Sequence, residues 1–270
     1  METTTSPTPL VETRQPRLFP AKLRAALIHA GISTVIFMAF LYLILVEWYP
    51  PPFFTTDGGW NGVVIMVLVD IVLGPTLTFI IFNPRKSRKE ILFDLSMIAL
   101  VQFGALAWGG YTVYSQRPVA VIEWEGVLKP LTTEPLYVQD KTLADLQQFN
   151  TGSRPIIRAE PPKTKDEMGT MMELALNKDI GETQQFWMFR SFKGALVEIK
   201  KSALDITAVT TDNTEIKSAL DKFLQQNHGK KAEDFFYLKF AGRYKDAIFV
   251  FDAVGDEVGH LMWGVPERLP

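Results

Sequence analysis

Three long apolar runs, roughly residues 25–46, 62–82 and 91–112, fill most of the first 114 positions and leave that region little chance of folding in water. Each can cross a hydrocarbon core, which takes about 20 helical residues. The charges between them set a direction. All eight Lys and Arg residues of positions 1–114 fall in two clusters, Arg14/Arg17/Lys22/Arg24 and Arg85/Lys86/Arg88/Lys89, while Glu47 through Asn61 holds none. Short basic loops stay cytoplasmic, so the pattern predicts an inside N-terminus and residues 115–270 outside. Trp48, Tyr49, Trp60, Trp108, Tyr111 and Tyr114 fall at the predicted outer ends, where amphipathic rings prefer the headgroup layer. A cleaved signal peptide fits the first run poorly: it exceeds the usual core of about 7–15 residues, and Glu47-Trp48-Tyr49-Pro50 offers no small-residue cleavage site. The expected organisation is a disordered Thr/Pro-rich cytoplasmic tail over 1–24, a three-helix transmembrane region over 25–114 and an extracytoplasmic domain over 115–270.

The outer domain mixes 20 basic with 23 acidic side chains. No strong field draws it to nucleic acid. The chain has no cysteine, which removes disulfides, thiol catalysis and Cys-ligated metal. From Arg117, the β-branched run to Trp124 predicts a first strand, and helical spacing predicts helices near 141–149, 164–178 and 214–227. Residues 234–240, 247–251 and 258–263 alternate with turn segments and predict an antiparallel β-meander. The expected fold class is therefore a membrane protein with three transmembrane α-helices followed by an α+β domain.

Chemistry-bearing residues are sparse. His228 and His260 lack a second ligand at metal spacing. Ser153, Ser191 and Ser202 lack the context of an activated nucleophile. Gly58-Gly59 reads as a turn, and Glu233/Asp234 and Asp256/Glu257 as solvated strand ends. No catalytic site, cofactor or metal is expected. Within the apolar runs stand His29, Asp70, Asp94 and Gln102, in two matched layers. Polar groups in hydrocarbon need partners. Asp70–Gln102 and His29–Asp94 could be interhelical hydrogen bonds, or the groups could recognise a partner's polar group or carry protons. Gly74-Pro75, after Asp70, predicts a kink that frees a carbonyl near Ile71 and leaves either a packing contact or a notch for another helix.

Several segments together carry a resemblance: Trp48-Tyr49-Pro50-Pro51-Pro52-Phe53-Phe54 with Gly58-Gly59, Val69-Asp70-Ile71-Val72-Leu73-Gly74-Pro75-Thr76-Leu77-Thr78, Phe82-Asn83-Pro84, Phe93-Asp94-Leu95 and Arg117-Pro118-Val119. In that order the chain resembles the TfpX/TfpZ type IV pilin accessory proteins over about residues 22–124. Leu238 through Asp246 is similar to the family's closing segment. The resemblance implies a bacterial inner-membrane protein that supports assembly or dynamics of one cognate pilin without catalysing a reaction. A pilin offers a long apolar helix with an acidic residue, and a head. Asp70, Gly74, Pro75 and Gln102 are the expected helix contacts, chosen on their chemistry, with His29 and Asp94 as interhelical polar groups. Contact with membrane lipid is expected, and a homodimer is compatible with this reading. The rival readings are a proton-relaying subunit of a small oxidoreductase or transporter, using His29, Asp70 and Asp94, and an envelope sensor signalling through the basic loop.

Overall fold

The three apolar runs form three long helices, α1 (Leu18–Trp48), α2 (Gly59–Ile81) and α3 (Arg88–Ser115), each long and apolar enough to cross a membrane. In such sequence only a helix satisfies every backbone group within the segment. Large apolar side chains such as Leu27, Val35, Leu100 and Trp108 point outward along them, as on helices that are hydrophobic all round. These features come from a computed structural model that describes residues 17–263. Most of the expected N-terminal tail lies outside the described residues. Its last part is helical, because α1 starts at Leu18 rather than near residue 25. Pro20 sits in the first turn, where its missing N–H breaks no helical bond.

The chain divides into two compact units. The first comprises the described residues up to Met38 together with Ile65–Ala107. The second comprises Ala39–Val64 and everything described from Trp108 onward.

The second unit is built on a mixed sheet of seven strands among the described residues, in the order β4-β3-β1-β2-β5-β6-β7. They are β1 (Ala120–Trp124), β2 (Val127–Leu131), β3 (Ile156–Ala159), β4 (Phe189–Ser191), β5 (Phe236–Ala241), β6 (Asp246–Phe251) and β7 (Glu257–Met262). The last three are the expected antiparallel meander. Strands β2, β3 and β4 carry weak sequence signals. Pro130 interrupts β2, but β2 pairs with β5 only at Val127 and Leu128, so the proline lies beyond that ladder. The hairpin from β1 to β2 turns through Glu125 and Gly126, both at positive φ (50° and 86°), as a two-residue turn of the twist-compatible kind requires. Glu123 supports it by accepting the Gly126 N–H at 2.8 Å. β1 pairs with β3, and β2 with β5, in parallel, which joins three antiparallel sections, β4-β3, β1-β2 and β5-β6-β7, into one sheet.

Helices cover the sheet. The expected helix near 141–149 shrinks to one turn, Leu143–Leu146, whose Leu146 is buried. α4 (Lys165–Lys178), α5 (Ile206–Asp212) and α6 (Thr214–Gln226) follow. In α6 the cap is Asn213, whose Oδ1 accepts from the Glu215 and Ile216 N–H groups. Ile216, Leu220 and Phe223, on one face, pack against Tyr237, Ile248, Val250 and Leu261. β6 is buried along its whole length, which accounts for the unbroken apolar run Ala247–Phe251.

The other face of β5 and β6 carries Phe236, Phe240, Phe249 and Phe251, and part of its cover comes from the loop between α1 and α2. Phe53, 5% exposed, meets Phe240 and Phe249 with ring centroids 5.7 and 6.3 Å apart. The Thr56 carbonyl accepts the Tyr244 N–H at 2.8 Å, and Asp57 Oδ1 accepts the Arg243 N–H at 3.1 Å. A side chain at Gly242 would strike Thr56, and one at Gly58 would strike the Tyr244 ring. Tyr49 donates to the Val113 carbonyl at 2.9 Å, and Arg154 donates to the carbonyls of Trp48 and Glu47.

Burial pushes the Asp57 carboxyl up to about 6, against the hydrogen bonds from Thr56 and Arg243. The folded protein therefore holds this proton more tightly than the unfolded chain, whose carboxyl titrates near 4. The stability contributed by this group is fully present below about pH 4 and is lost as pH rises through about 6. Asp57→Asn keeps the shape without the charge. We expect the variant to gain about 3 kcal/mol relative to wild type between about pH 3.5 and 8, as two pKa units imply. Denaturant unfolding of the purified full chain in detergent at both pH values measures it; parallel pH profiles would refute the assignment.

Candidate partner-binding site

The first unit contains a cleft of about 860 Å³ lined by α1, α2 and α3. Ile28, Ile32, Ile36, Phe103 and Leu106 make its walls apolar, and His29, Ser33, Asp70, Thr78 and Gln102 interrupt them. Arg17 and Arg24 also line it.

The local backbone of α2 is shaped for this. From Val67 to Leu73 the helix widens into π-type turns, and the Gly74 N–H bonds back to the Val69 carbonyl. Pro75 follows at the start of a regular α segment. A π stretch absorbs the bond that proline cannot make, and such widened turns often occur at functional sites. Thr76 adds a hydroxyl bond to the Val72 carbonyl at 2.7 Å. Asp70 sits inside the widened segment, 6% exposed. Its carboxyl lines the cleft and makes no hydrogen bond to another described residue.

The other polar residues are distributed differently from the expected layers. His29 Nδ1 lies 2.6 Å from Thr78 Oγ1 and ties α1 to α2. Asp94 pairs with Lys86 of the basic loop at 2.6 Å instead of reaching His29. The reason is reach: a lysine four carbons long can return from the loop to the first turns of α3. Gln102 does not bond Asp70. It packs on Gly74, so closely that a side-chain carbon there would overlap the carboxamide. Glycine at 74 therefore leaves room for the Gln102 carboxamide. Thr78 escaped the sequence reading because a threonine in an apolar helix usually bonds its own backbone, as Thr76 does.

In the second unit Ser153 and His228 are exposed, and Ser191, Ser202 and His260 sit among structural contacts. Ser191 Oγ accepts the Gly194 N–H at 3.3 Å, Ser202 abuts Gly126, and His260 stands opposite Phe249 in the meander. Among the described residues no cluster of three or more His, Cys, Asp or Glu side chains could hold a metal.

Comparison with known proteins gives no matching family model and no matching solved structure. Three curated proteins of Dichelobacter nodosus are similar. The fimbrial assembly protein of serogroup E1 is 27% identical over 243 residues, covering 88% of this chain and 93% of the relative. That of serogroup I is 26% identical over the same length and coverage. The fimbrial assembly protein of serogroups C1 and C2 is 37% identical over 109 residues, 40% of this chain and 82% of the relative.

The packing of Gln102 on Gly74 predicts a coupled pair. Gly74→Ala should cost about 1–3 kcal/mol through overpacking, and Gln102→Ala in the same chain should recover most of it. Thermal unfolding in detergent measures the cycle; additive losses would show that the two residues do not meet.

Proposed function

We propose, from the premise that this chain belongs to the family of fimbrial assembly proteins, that it is a non-catalytic inner-membrane accessory protein of the TfpX/TfpZ kind. It binds the apolar helix of a cognate type IV pilin and thereby supports fimbrial assembly. The observation that carries this reading is the cleft with Asp70 in its wall: an apolar groove of about 860 Å³ lined by a carboxyl that no described residue hydrogen-bonds. An ionisable group at that depth calls for a partner. A pilin helix carries a polar group within an apolar segment, and Asp70, Gln102 and the His29–Thr78 pair offer both donors and acceptors to it. A second contact between the pilin head and the sheet unit would add effective concentration.

On this reading the sheet unit faces the periplasm, since within positions 1–114 basic residues load only the N-terminal segment and the loop at 85–89. A proton relay through His29, Asp70 and Asp94 draws less support: His29 is engaged by Thr78, and Asp94 by Lys86.

Alkaline phosphatase fused after Pro130 should be active, and fused after Lys86 inactive. The reverse pattern would invert the topology and remove the proposed meeting of pilin head and sheet unit.

Asp70→Leu should leave the protein inserted at wild-type levels while pilin co-purification falls roughly tenfold, the effect of losing about 1.4 kcal/mol of contact, with piliation reduced. Asp70→Asn, which keeps a polar group, should fall in between. Unchanged co-purification, piliation and twitching in Asp70→Leu at equal expression would make Asp70 a packing residue and refute the cleft as the pilin site.

A further inference from the structure

Helix α4 carries apolar side chains on two separate faces. At 100° per residue, Glu167, Met171 and Leu174 share one side and are partly buried, with Met171 against the core of the sheet unit. Roughly 130° round the helix run Met168, Met172 and Leu176, which are 44%, 53% and 79% exposed. Gly169 lies beside this ridge with nothing within 4 Å of where its side chain would be. A glycine weakens an exposed helix interior but lets another backbone come close. A ridge of two methionines and a leucine next to such a glycine has the composition of an adaptable contact surface.

The charges at its ends indicate what covers it. Lys165 opens the helix, seven residues or about 10.5 Å along the axis before Met172, and Asp179 is its C-cap, just past Lys178 at a left-handed φ of 54°; both are exposed without an ion pair to another described residue. The arrangement is self-complementary. In an antiparallel pair centred on Met172, Met168 meets the partner's Leu176, Gly169 meets the partner's Ala175, and Lys165 meets the partner's Asp179, twice over by symmetry. A parallel pair would set like charges together. A lipid surface fits worse, because the polar positions of α4 hold Asp166, Glu167 and Glu173 against Lys165 and Lys178, the opposite of the basic face of a membrane-lying helix.

We propose that the Met168–Met172–Leu176 face of α4 is the contact between two copies of this chain, packed antiparallel about a two-fold axis at Met172. The proposal goes beyond the pilin reading and does not depend on it. One helix pair is a small interface, and confinement of both copies to one bilayer raises their effective concentration. Two copies inserted the same way are related by an axis along the membrane normal, so the proposal requires α4 to run along the membrane plane.

The chain has no cysteine, so a single engineered thiol reports its own neighbours. In membranes containing the full chain, Met172→Cys should form a disulfide-linked dimer on mild oxidation, and Asn177→Cys, on another side of α4, should not. Met168→Cys and Leu176→Cys should cross-link to each other when co-expressed and at least fivefold less when expressed alone. Lys165→Asp should lower the Met172→Cys yield severalfold, and adding Asp179→Lys should restore it. Three outcomes would overturn the proposal: no dimer from the Met172→Cys variant inserted at wild-type levels, a dimer indifferent to both charge changes, or a Met172→Cys thiol that links only to another protein or is shielded from maleimide while monomeric.

Discussion

The sheet unit depends on a loop that is distant from it in sequence. One face of β5 and β6 is lined with phenylalanine, and leaving it wet would forgo about 1.5–3 kcal/mol per ring. Phe53 helps close that face, and the polar backbone around it is held by the turn between β5 and β6. The arrangement explains two separate stretches at once. Trp48 through Gly59 supplies the aromatic plug and the carbonyls; Leu238 through Asp246 supplies the receiving strand and turn. The glycines at 58 and 242 are required by close approach, since side chains there would collide with the opposite segment.

Buried carboxyls recur where the chain must turn. Asp57 satisfies a backbone N–H of the β5–β6 turn, and Glu123 does the same for the β1–β2 turn. Burial raises both pKa values, yet neither group stands alone. Thr56 donates to Asp57 at 2.6 Å, and Arg158 approaches Glu123 at 3.6 Å from the parallel neighbour β3. An unpaired carboxylate in such places would cost several kcal/mol, so each also commits its surroundings to one arrangement. In the unit of apolar helices the same logic holds for His29, bonded to Thr78, and Asp94, paired with Lys86. Asp70 departs from it, and that departure makes it the best candidate for a contact with another molecule.

α4 departs in another way. Its capping box, Thr164 with Glu167, and its inward Met171 specify a helix docked on the sheet unit, while its outer ridge violates the rule that a surface helix shows polar residues to water. The α6 helix, capped by Asn213 and polar on its outer side, follows the rule. Two helices of similar length on one sheet thus differ in what they ask of their surroundings.

The sequence by itself determined the three apolar helices, because an uninterrupted apolar run has no other way to satisfy its backbone, and it determined α4, α6 and the closing meander, whose 3.6- and 2-residue periods are long enough to read. The backbone hydrogen bond lost at Gly74-Pro75 was legible and was read as a kink; that α2 takes π-type turns from Val67 to Leu73 was not legible. Strands β2, β3 and β4 were invisible for a physical reason: they span three to five residues, and their stability comes from neighbours paired across the sheet. The same holds for the partners of the polar groups. Helical spacing placed His29 and Asp94 at one depth, but rotation of each helix about its axis, which packing sets, gave His29 to Thr78 and Asp94 to Lys86. Only the tertiary structure decided that Asp70 faces an open cleft, that Gln102 rests on Gly74 and that a loop between two apolar helices completes the core of a sheet, because contacts between segments far apart in the chain leave no periodic mark on either one.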